Sequence, residues 1–490
     1  MIEVPYALLV RRAKEAFDSR RHIDCADFCR ELLKRRKNDA EALCLLARIE
    51  WTQGRRGQAI VQMQRIARLY PKDLGIRQGL AYWLNDQGRH AEAIKQYQKA
   101  LKLSPHDLEA IRGLARAYEQ DGQHDAALKV LEPYLESGTE TAGMALVAAT
   151  VHQSRKEFQK AINIAERHTG SESADERNRI ALNFVIGQCY EKLNEAEKSF
   201  AAYVRANTLS PPPFDPDEFD REMDELMRIF SAENLAKLPR ATNETELPVF
   251  ICCRPRSGST LLDRIIGSHP DAHSGGERNT LTKLMHEFSL LVGSTEPYPQ
   301  GVPDMDVDDC NRLSERAQKE FQSLNPKAKR ITNKRLSNWE YLGFIEMLFP
   351  KSRVIDLRRD PVDNCLACYM IDLQSQFPYS YDLEHLARVH LTYERVMEHW
   401  YQVLKLPILK VSYEDIVADQ EYWTRKIIDF IGLPWSDDCL RFHEVGTKKG
   451  SDTPTLSYDQ VRRPIYKSSV GRAEQFKAHI GPLRKALGRM

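Results

Sequence analysis

A short turn in the middle of the chain combines residue types that bind anions. It reads "RPRSGST" over residues 254–260, after the apolar run "LPVFICC" and before the helical pattern "TLLDRIIGS". A strand that ends in a glycine-containing turn and leads into a helix directs several backbone N–H groups and the positive helix end to one point. Arg256 adds a cation, and Ser257, Ser259 and Thr260 add hydroxyl groups. We therefore predict that this turn binds a phosphate or sulfate group.

Two common nucleotide-binding patterns do not describe this turn. The triphosphate pattern GxxxxGK[ST] requires a lysine and a leading glycine, and both are missing here. The dinucleotide pattern GxGxxG is also missing, and no clear strand ending in aspartate supplies a Walker-B partner. Because ordinary strand–helix turns also contain Arg, Ser and Gly, a turn without any ligand stays an alternative at this point.

The second half of the chain reads as an α/β domain that positions this turn. Residues 247–253 and 353–357 are predicted to be buried parallel strands, and "PILKVSYED" is a third candidate. Helical patterns such as "NWEYLGFIEMLF" and "HLARVHLTYERVMEHWYQVL" lie between them, and this alternation predicts a parallel sheet with helices on both faces. Three consecutive prolines, residues 211–213, end the preceding helical pattern. We predict a linker with a connecting helix over residues 213–245 and the α/β domain over residues 246–490.

The first half repeats itself every 34 residues. Two series of alanines follow this step, and glycines at the matching turn positions follow it as well. The members are Ala13, Ala47, Ala81, Ala115 and Ala149, then Ala59, Ala93, Ala127 and Ala161, and Gly54, Gly88 and Gly122. This period is typical of tetratricopeptide repeats, in which small residues sit where two helices cross. Residues 1–212 are therefore predicted to form an all-α superhelix of about six helical hairpins with degenerate outer copies.

The function of such an array stays open from its sequence. Solenoids present an extended concave surface, which favours binding of a protein or peptide partner. A dimerisation surface or a rigid scaffold for the second half are the alternatives. The sequence does not choose among them.

Composition narrows the classes of partner. The chain has 490 residues, of which 42% are apolar, and its 71 basic and 70 acidic residues leave a net charge of +1. This balance indicates neither a nucleic-acid nor a membrane partner. The sequence shows no secretory signal pattern and no apolar run of about 18 residues, so we expect a cytoplasmic protein without a membrane segment. The only CxxC pair, Cys365 and Cys368, has no second pair, which favours buried thiols over a metal site.

Four segments of the second half together resemble sulfotransferases that use 3′-phosphoadenosine 5′-phosphosulfate (PAPS). In chain order they read "RPRSGSTLLDRIIGSHPDAHSGGE", "TNKRL", "DLRRDPVDNCLACY" and "LSYDQVRRPIYKSSVGR". They occur in the order of that family, cover residues 246 to about 480, and are most similar to the tyrosylprotein sulfotransferase branch. The resemblance implies a P-loop-like sulfotransferase fold and PAPS as cosubstrate, without a metal.

The resemblance also implies roles for single residues. Glu277 lies 21 residues beyond Arg256 and matches a general base, Lys334 matches a catalytic lysine, and Ser457 matches a catalytic serine. Sulfuryl transfer requires an acceptor that loses its proton and cations that stabilise the leaving charge, and Arg256 suits the latter. Taken singly, Glu277 and Lys334 could equally be ordinary surface residues. The residues implied to bind the nucleotide are Arg256, Ser257, Gly258, Ser259, Thr260, Arg359, Tyr413, Ser457, Arg463, Tyr466 and Arg472.

Two positions depart from the family pattern beside Arg359, which is implied to bind the 3′-phosphate. The expected serine eight residues later is Ala367, and an expected basic residue is Ile371. Arg358 either substitutes for them, because a guanidinium grips phosphate in bidentate fashion, or is an ordinary strand residue that faces elsewhere. The departures also leave weak PAPS binding open.

The sequence therefore predicts sulfuryl transfer from PAPS to an acceptor hydroxyl, with tyrosine in a protein or peptide captured by the repeats as the first expectation. A small-molecule, lipid or glycan acceptor is the second. A non-catalytic repeat adaptor with a decayed sulfotransferase domain is the third, and Ala367 is the residue that favours it.

Overall fold

A computed structural model describes residues 4–170, 175–373, 376–444, 464–465 and 469–489. The chain divides into two compact units, Met1–Leu193 and Asn194–Met490. The first unit is all helical and the second is α/β, so the predicted fold class is confirmed.

The first unit consists, over its described residues, of eleven helices, and successive helices pack against each other. In chain order they are α1 (Tyr6–Asp18), α2 (His22–Arg35), α3 (Ala40–Thr52), α4 (Arg56–Leu69), α5 (Leu74–Asp86), α6 (His90–Leu103), α7 (Leu108–Gln120), α8 (His124–Ser137), α9 (Ala142–Ser154), α10 (Phe158–Thr169) and α11 (Glu176–Lys192). Every predicted alanine of both repeat series is fully buried. The 34-residue period therefore marks the helix crossings, as the sequence predicted.

The starts of these helices follow the same period. The side chains of Asp39, Asp73, Asp107 and Thr141 each accept a hydrogen bond from the backbone N–H three residues later. A short polar side chain in this position satisfies one of the unpaired amides of the first turn and stabilises the helix by about 1 kcal/mol. The repeat is thus a repeat of helix caps as well as of small core residues.

The second unit, in its described part, has thirteen helices, five strands and several 3-10 turns. The helices are α12 (Ala196–Leu209), α13 (Pro216–Ile229), α14 (Ala232–Lys237), α15 (Ser259–Ser268), α16 (Thr280–His286), α17 (Phe288–Val292), α18 (Val307–Leu324), α19 (Leu342–Leu348), α20 (Pro361–Tyr369), α21 (Leu383–Val403), α22 (Tyr413–Ala418), α23 (Gln420–Phe430) and α24 (Gly481–Ala486). The strands are β1 (Pro248–Cys252), β2 (Ala272–His273), β3 (Arg330–Asn333), β4 (Arg353–Arg358) and β5 (Ile408–Ser412). The 3-10 turns span Val302–Asp304, Asn338–Tyr341, Pro378–Tyr381, Asp437–Cys439 and Arg472–Phe476.

All five strands are parallel, in the order β2-β3-β1-β4-β5. Phe250 and Val354 face a core formed with α13, α18, α19 and α21, whereas Val249 and Ile355 face a second core formed with α15 and α23. Apolar residues therefore run continuously along the central strand β1, as expected of a sheet covered on both faces. The three predicted strands are β1, β4 and β5, while β2 and β3 were not among the predicted strands.

Helix α12 packs within the second unit. The side-chain amide of Asn207 donates to the carbonyl oxygen of Tyr369 at 2.9 Å, and the ring of Phe200 contacts those of Tyr369, Phe476 and His479. The domain boundary that the sequence predicts near residue 212 stays a prediction, while packing places α12 in the second unit.

The ten cysteines are all free thiols. Cys365 and Cys368 are fully buried, and their thiols donate to the carbonyl oxygens of Leu386 and Pro255. Burial raises the pKa of both thiols, as expected of buried reduced cysteines. Over the residues described above, no helix is long and apolar enough to cross a bilayer.

Candidate active site

Each strand of the sheet is followed by one residue that the sequence singled out. Glu277 follows β2, Lys334 follows β3, Arg256 follows β1, Arg359 follows β4 and Tyr413 follows β5. The carboxyl ends of parallel strands meet at one edge of a sheet, where open α/β sheets place their ligands. Five residues separated by up to 157 positions in sequence thus lie along a single edge.

The turn between β1 and α15 has an unusual backbone. Arg256 has φ +63° and Gly258 has φ +93°, so two of its residues are left-handed. A Cβ atom on Gly258 would lie 2.5 Å from a ring carbon of Tyr413, so only glycine allows that ring to pack on the turn. Gly258 is the N-cap of α15 and has no side chain with which to cap the first amides. The predicted convergence of the 257–260 amides on an anion stays a prediction.

Arg359 lies against this turn. Its Nη1 donates to the carbonyl oxygen of Arg256 at 2.9 Å, and its Nη2 donates to the carbonyl oxygen of Ser469 at 2.6 Å. The guanidinium lies 5.3 Å from the centre of the Tyr413 ring. Within the described part of the chain its buried Nε has no acceptor. The residue implied to hold the 3′-phosphate is therefore next to the turn implied to hold the 5′-phosphate.

Glu277 and Lys334 form an ion pair. The Lys334 ammonium donates to Oε1 of Glu277 at 2.7 Å. The side chain of Lys334 is 1% exposed and that of Glu277 is 29% exposed. The pair forms because the chain after β2 passes close to β3: a Cβ atom on Gly275 would lie 2.1 Å from the Thr332 carbonyl oxygen. The backbone N–H of Lys334 also donates to the Gly276 carbonyl oxygen at 3.0 Å.

The buried carboxylate of Asp263 holds the chain after β2 close to β3. Asp263 of α15 accepts hydrogen bonds from the hydroxyl groups of Ser274 and Thr332. The Thr332 hydroxyl in turn accepts from the N–H of Gly275 at 3.1 Å. The sequence analysis did not single out Asp263 or Thr332. A charged residue on the apolar face of "TLLDRIIGS" is the signal that could have revealed Asp263.

The buried thiol of Cys253, just before the turn, is within electrostatic reach of the ion pair. Burial raises the pKa of its thiol to about 12, a hydrogen bond with Ser259 opposes this rise, and the charges of Lys334 and Glu277 act on it with opposite signs. One buried thiol is thus within electrostatic reach of the start of α15 and of both members of the pair.

Two nitrogens of Arg358 are paired with carboxylates, Nε with Asp356 and Nη1 with Glu394, while its buried Nη2 has no hydrogen-bond partner among the described residues. Its Nε donates to Oδ2 of the fully buried Asp356 at 2.7 Å, and Asp356 also accepts from the hydroxyl groups of Tyr393 and Tyr401. This geometry favours the second alternative, an ordinary strand residue, over a substitute phosphate ligand. The Ala367 side chain is buried and offers no polar group.

Part of the C-terminal segment lies at the same edge of the sheet, where the Ser469 carbonyl oxygen accepts from Arg359. Ser457, Arg463 and Tyr466 lie outside the described residues. Arg472 begins a 3-10 turn whose backbone is fastened to α20, because Asp363 accepts from the N–H groups of Gly471 at 2.6 Å and of Ala473 at 2.7 Å. Asp363 is not among the residues predicted from the sequence.

Comparison with known proteins finds two kinds of sequence family in this chain. Residues 248–437 match the sulfotransferase family, and residues 84–150 and 180–213 match tetratricopeptide repeats. An uncharacterized protein of Aquifex aeolicus (strain VF5) is 25% identical over 353 residues, which cover 69% of this chain and 46% of that protein. Protein-tyrosine sulfotransferase 1 of Danio rerio is 25% identical over 262 residues, which cover 49% of this chain and 71% of the relative.

Among solved structures, the sulfotransferase domain of the Synechococcus PCC 7002 olefin synthase aligns with a TM-score of 0.37 and 20% identity, over 48% of this chain and 90% of that domain. This chain spans about half of the Aquifex relative, at 46% of its length.

Proposed function

Because the chain joins tetratricopeptide repeats to a sulfotransferase-family domain, we propose that it transfers a sulfuryl group from PAPS to an acceptor hydroxyl. The observation that carries this proposal is the Glu277–Lys334 ion pair at the sheet edge that also holds the turn of Arg256. A base, a buried cation and a helix N-terminus in one place are the parts that sulfuryl transfer needs.

The residues present fit PAPS. The turn offers the backbone amides of residues 257–260, the Arg256 cation and the hydroxyl groups of Ser259 and Thr260 to a 5′-phosphosulfate. Arg359 suits the 3′-phosphate, because its buried Nε has no acceptor among the described residues. Arg472 lies in the segment that Asp363 of α20 holds beside Arg359. Tyr413 packs between Gly258 and Arg359. Ser457 is proposed as a further donor to the sulfuryl group.

When bound, PAPS supplies a sulfuryl group whose bond to the 5′-phosphate oxygen breaks as the acceptor oxygen attacks. Glu277 takes the proton of the acceptor hydroxyl, and its partial exposure leaves it accessible to an acceptor from solvent. Lys334 stabilises the charge that develops on the leaving phosphate, and its burial strengthens that interaction. Arg256 has the same role from the turn.

We propose tyrosine in a protein or peptide as the acceptor. The 25% identity with a protein-tyrosine sulfotransferase supports this choice, and the repeats supply a surface of the kind that binds proteins. The repeat unit is therefore proposed to capture the acceptor protein.

Two measurements test the function. Thermal unfolding with 3′-phosphoadenosine 5′-phosphate (PAP) should show stabilisation of the chain, because a ligand that binds the folded state raises its stability. Transfer of labelled sulfate from PAPS into a cell lysate should then yield label in protein, recovered as sulfotyrosine after alkaline hydrolysis. Label found only in small molecules would mean that the acceptor is not a protein. PAP binding without any transfer would indicate a non-catalytic adaptor, and the absence of PAP binding would overturn the proposal.

A further inference from the structure

The side-chain amide of Asn364 connects α20 to the turn after β1. Asn364 is 1% exposed, and its Nδ2 donates to the carbonyl oxygen of Pro255 at 2.8 Å and to the hydroxyl oxygen of Ser257 at 3.0 Å. A backbone carbonyl oxygen can only accept, so the amide nitrogen must be the atom that faces Pro255. Asn364 is one of the residues that the sequence analysis did not single out.

Two further bonds from the same helix and its flank reach the same turn. The thiol of Cys368 donates to the Pro255 carbonyl oxygen at 3.3 Å, and Nη1 of Arg359 donates to the Arg256 carbonyl oxygen at 2.9 Å. The carbonyl groups of Pro255 and Arg256 and the hydroxyl of Ser257 are therefore all held from the side of α20.

This arrangement sets the direction of the backbone amides. In a planar trans peptide the C=O of one residue and the N–H of the next point in opposite directions. With the Arg256 carbonyl held towards Arg359, the N–H of Ser257 points away from that guanidinium. The Pro255 carbonyl is held by Asn364 in the same way, so the N–H of Arg256 points away from the Asn364 amide. The left-handed φ of +63° at Arg256 is the backbone conformation in which this turn is held. Such a conformation is costly for a residue with a side chain and persists only where the surroundings enforce it.

We propose that Asn364 is a positioning residue for the sulfuryl donor: by holding Pro255 and Ser257, it keeps the turn in the conformation that presents its amides to the 5′-phosphosulfate. The proposal rests on the proposed function. Helix α20 then helps to position both phosphate groups of the nucleotide. Arg359, just before α20, is proposed to bind the 3′-phosphate, and Asn364 within α20 holds the turn that binds the 5′-phosphosulfate.

The amide is specific for this task. Leucine at position 364 has the same branched arrangement of side-chain heavy atoms but donates no hydrogen bond, so it would leave the buried Pro255 carbonyl without its strongest donor. Aspartate has the same shape but would place a negative charge against that carbonyl and beside a site for a polyanion.

Asn207 offers a matched control at the other end of α20. It is 3% exposed, and its amide also donates to two carbonyl oxygens, those of Tyr203 and Tyr369. Asn207→Leu therefore removes the same number of amide hydrogen bonds from the second unit, yet it touches nothing in the turn. Any general loss of stability should be shared by both variants.

The test compares Asn364→Leu and Asn207→Leu in the full chain by calorimetric titration, well below the unfolding temperature of each. We expect Asn364→Leu to bind PAP at least about tenfold more weakly than the unmodified chain, since two hydrogen bonds that hold the turn are lost, and Asn207→Leu to bind within about threefold. Adenosine 5′-phosphate should lose the same factor as PAP, while adenosine 3′-phosphate should lose none. Equal PAP affinity of the two variants, or an equal loss for both monophosphates, would overturn the proposal.

Amide hydrogen exchange of the ligand-free chain supplies a readout that does not depend on any nucleotide. The N–H groups of Leu261 and Leu262, which donate to the Gly258 carbonyl oxygen of the turn, should exchange at least about tenfold faster in Asn364→Leu than in Asn207→Leu, because the turn then opens locally. Unchanged exchange there would refute the role of Asn364. If the unmodified chain failed to bind PAP, the proposed function would fall, and hydrogen exchange would still decide whether Asn364 holds the turn.

Discussion

The ion pair of Lys334 and Glu277 affects both the stability of the fold and the proposed chemistry. Lys334 is almost completely withdrawn from solvent, and Glu277 is the carboxylate that balances its charge. Removing one member of a buried ion pair leaves the other uncompensated, which is more costly than never burying the pair. Substitutions at this site must therefore be chosen so that loss of folding is separated from loss of chemistry.

We expect Glu277→Gln to abolish transfer and to leave nucleotide binding intact. The amide keeps the shape and still accepts a hydrogen bond from Lys334, but it cannot take the acceptor proton, so kcat should fall by a factor of about 10² to 10⁴. Stability should fall by roughly 2 kcal/mol, below the full cost of a broken buried pair because Glu277 is partly solvated. Rates are measured with a verified acceptor and PAP affinity by calorimetry.

Glu287→Gln is the control for this variant, because Glu287 also forms an ion pair, with Arg316 at 2.7 Å, but both side chains are well exposed. That change should leave the rate and the stability nearly unaltered. Activity of Glu277→Gln close to that of the unmodified chain would remove Glu277 from the role of base.

We expect Lys334→Ala to lower kcat by about 10² to 10³, the usual loss when one preorganised donor to the transition state is removed. Lys329→Ala is the matched control, since Lys329 lies just before the same strand and its ion pair with Asp271 is exposed. The measurement is single-turnover transfer from PAPS at saturating acceptor. A wild-type-like rate for Lys334→Ala, in a protein that unfolds at the usual temperature, would contradict the assigned role.

At the scale of elements, the degenerate repeats keep the backbone of the regular ones without their glycines. Positions 20, 54, 88, 122 and 156 follow the 34-residue step, and all five are left-handed. Three of them are glycine, but Arg20 has φ +58° and Lys156 has φ +62°. A side chain in this conformation costs about 1–2 kcal/mol relative to ordinary backbone geometry, a cost that glycine does not have.

Lys156→Gly should therefore stabilise the protein by about 0.5–1 kcal/mol. The relief of backbone strain favours the folded chain, and the greater conformational freedom of glycine in the unfolded chain offsets part of this gain. Lys156→Ala is the control, because it removes the same side chain but keeps the Cβ atom that causes the strain. Urea unfolding of both variants against the unmodified chain measures the difference. A glycine variant no more stable than the alanine variant would show that the left-handed turn carries no cost here.

The elements differ in how far the sequence predicts them, for a physical reason. The repeat helices were predictable because burial recurs at a fixed step of small apolar residues. Strand β1 was predictable because its apolar residues run continuously, and β4 because three of its four inner residues are apolar. Strand β3 was not predicted, since three of its four residues are polar. Their burial depends on partners distant in sequence: Arg330 pairs with Glu246, and Thr332 bonds Asp263. Hydropathy cannot reveal burial that is satisfied across the fold.

The same reason separates the predictable from the unpredictable residues of the site. Glu277, Lys334 and Arg359 were singled out because they stand in short local segments with a recognisable order. Asn364 and Asp363 act on Pro255 and Gly471, more than 100 residues away in each case. Only the docking of α20 brings these groups together, so nothing local in the sequence marks them.

At the scale of the whole molecule, the structure predicts where the chain can be divided. The fragment 194–490 keeps α12, whereas the fragment 213–490 lacks Phe200, the fully buried Tyr203 and the Asn207 amide bonded to Tyr369. Loss of one large buried aromatic side chain alone costs about 3–5 kcal/mol. We expect the shorter fragment to unfold at a clearly lower temperature or to aggregate, and the longer one to unfold cooperatively. Equal melting temperatures would show that α12 is dispensable to the second unit.

The fragment 194–490 then tests whether the repeats capture the acceptor. If the first unit binds the acceptor protein, its removal deletes binding energy that is the same in the ground state and the transition state, so KM for a protein acceptor should rise while kcat stays constant. A small phenolic acceptor contacts only the sheet edge, and its KM should be unchanged. Steady-state rates for both acceptors, with the full chain and the fragment, give the ratio of the two changes in kcat/KM. We expect at least a tenfold larger loss for the protein acceptor. An equal loss for both acceptors would mean that the repeats support the second unit rather than bind its substrate, and the scaffold alternative would then replace substrate capture.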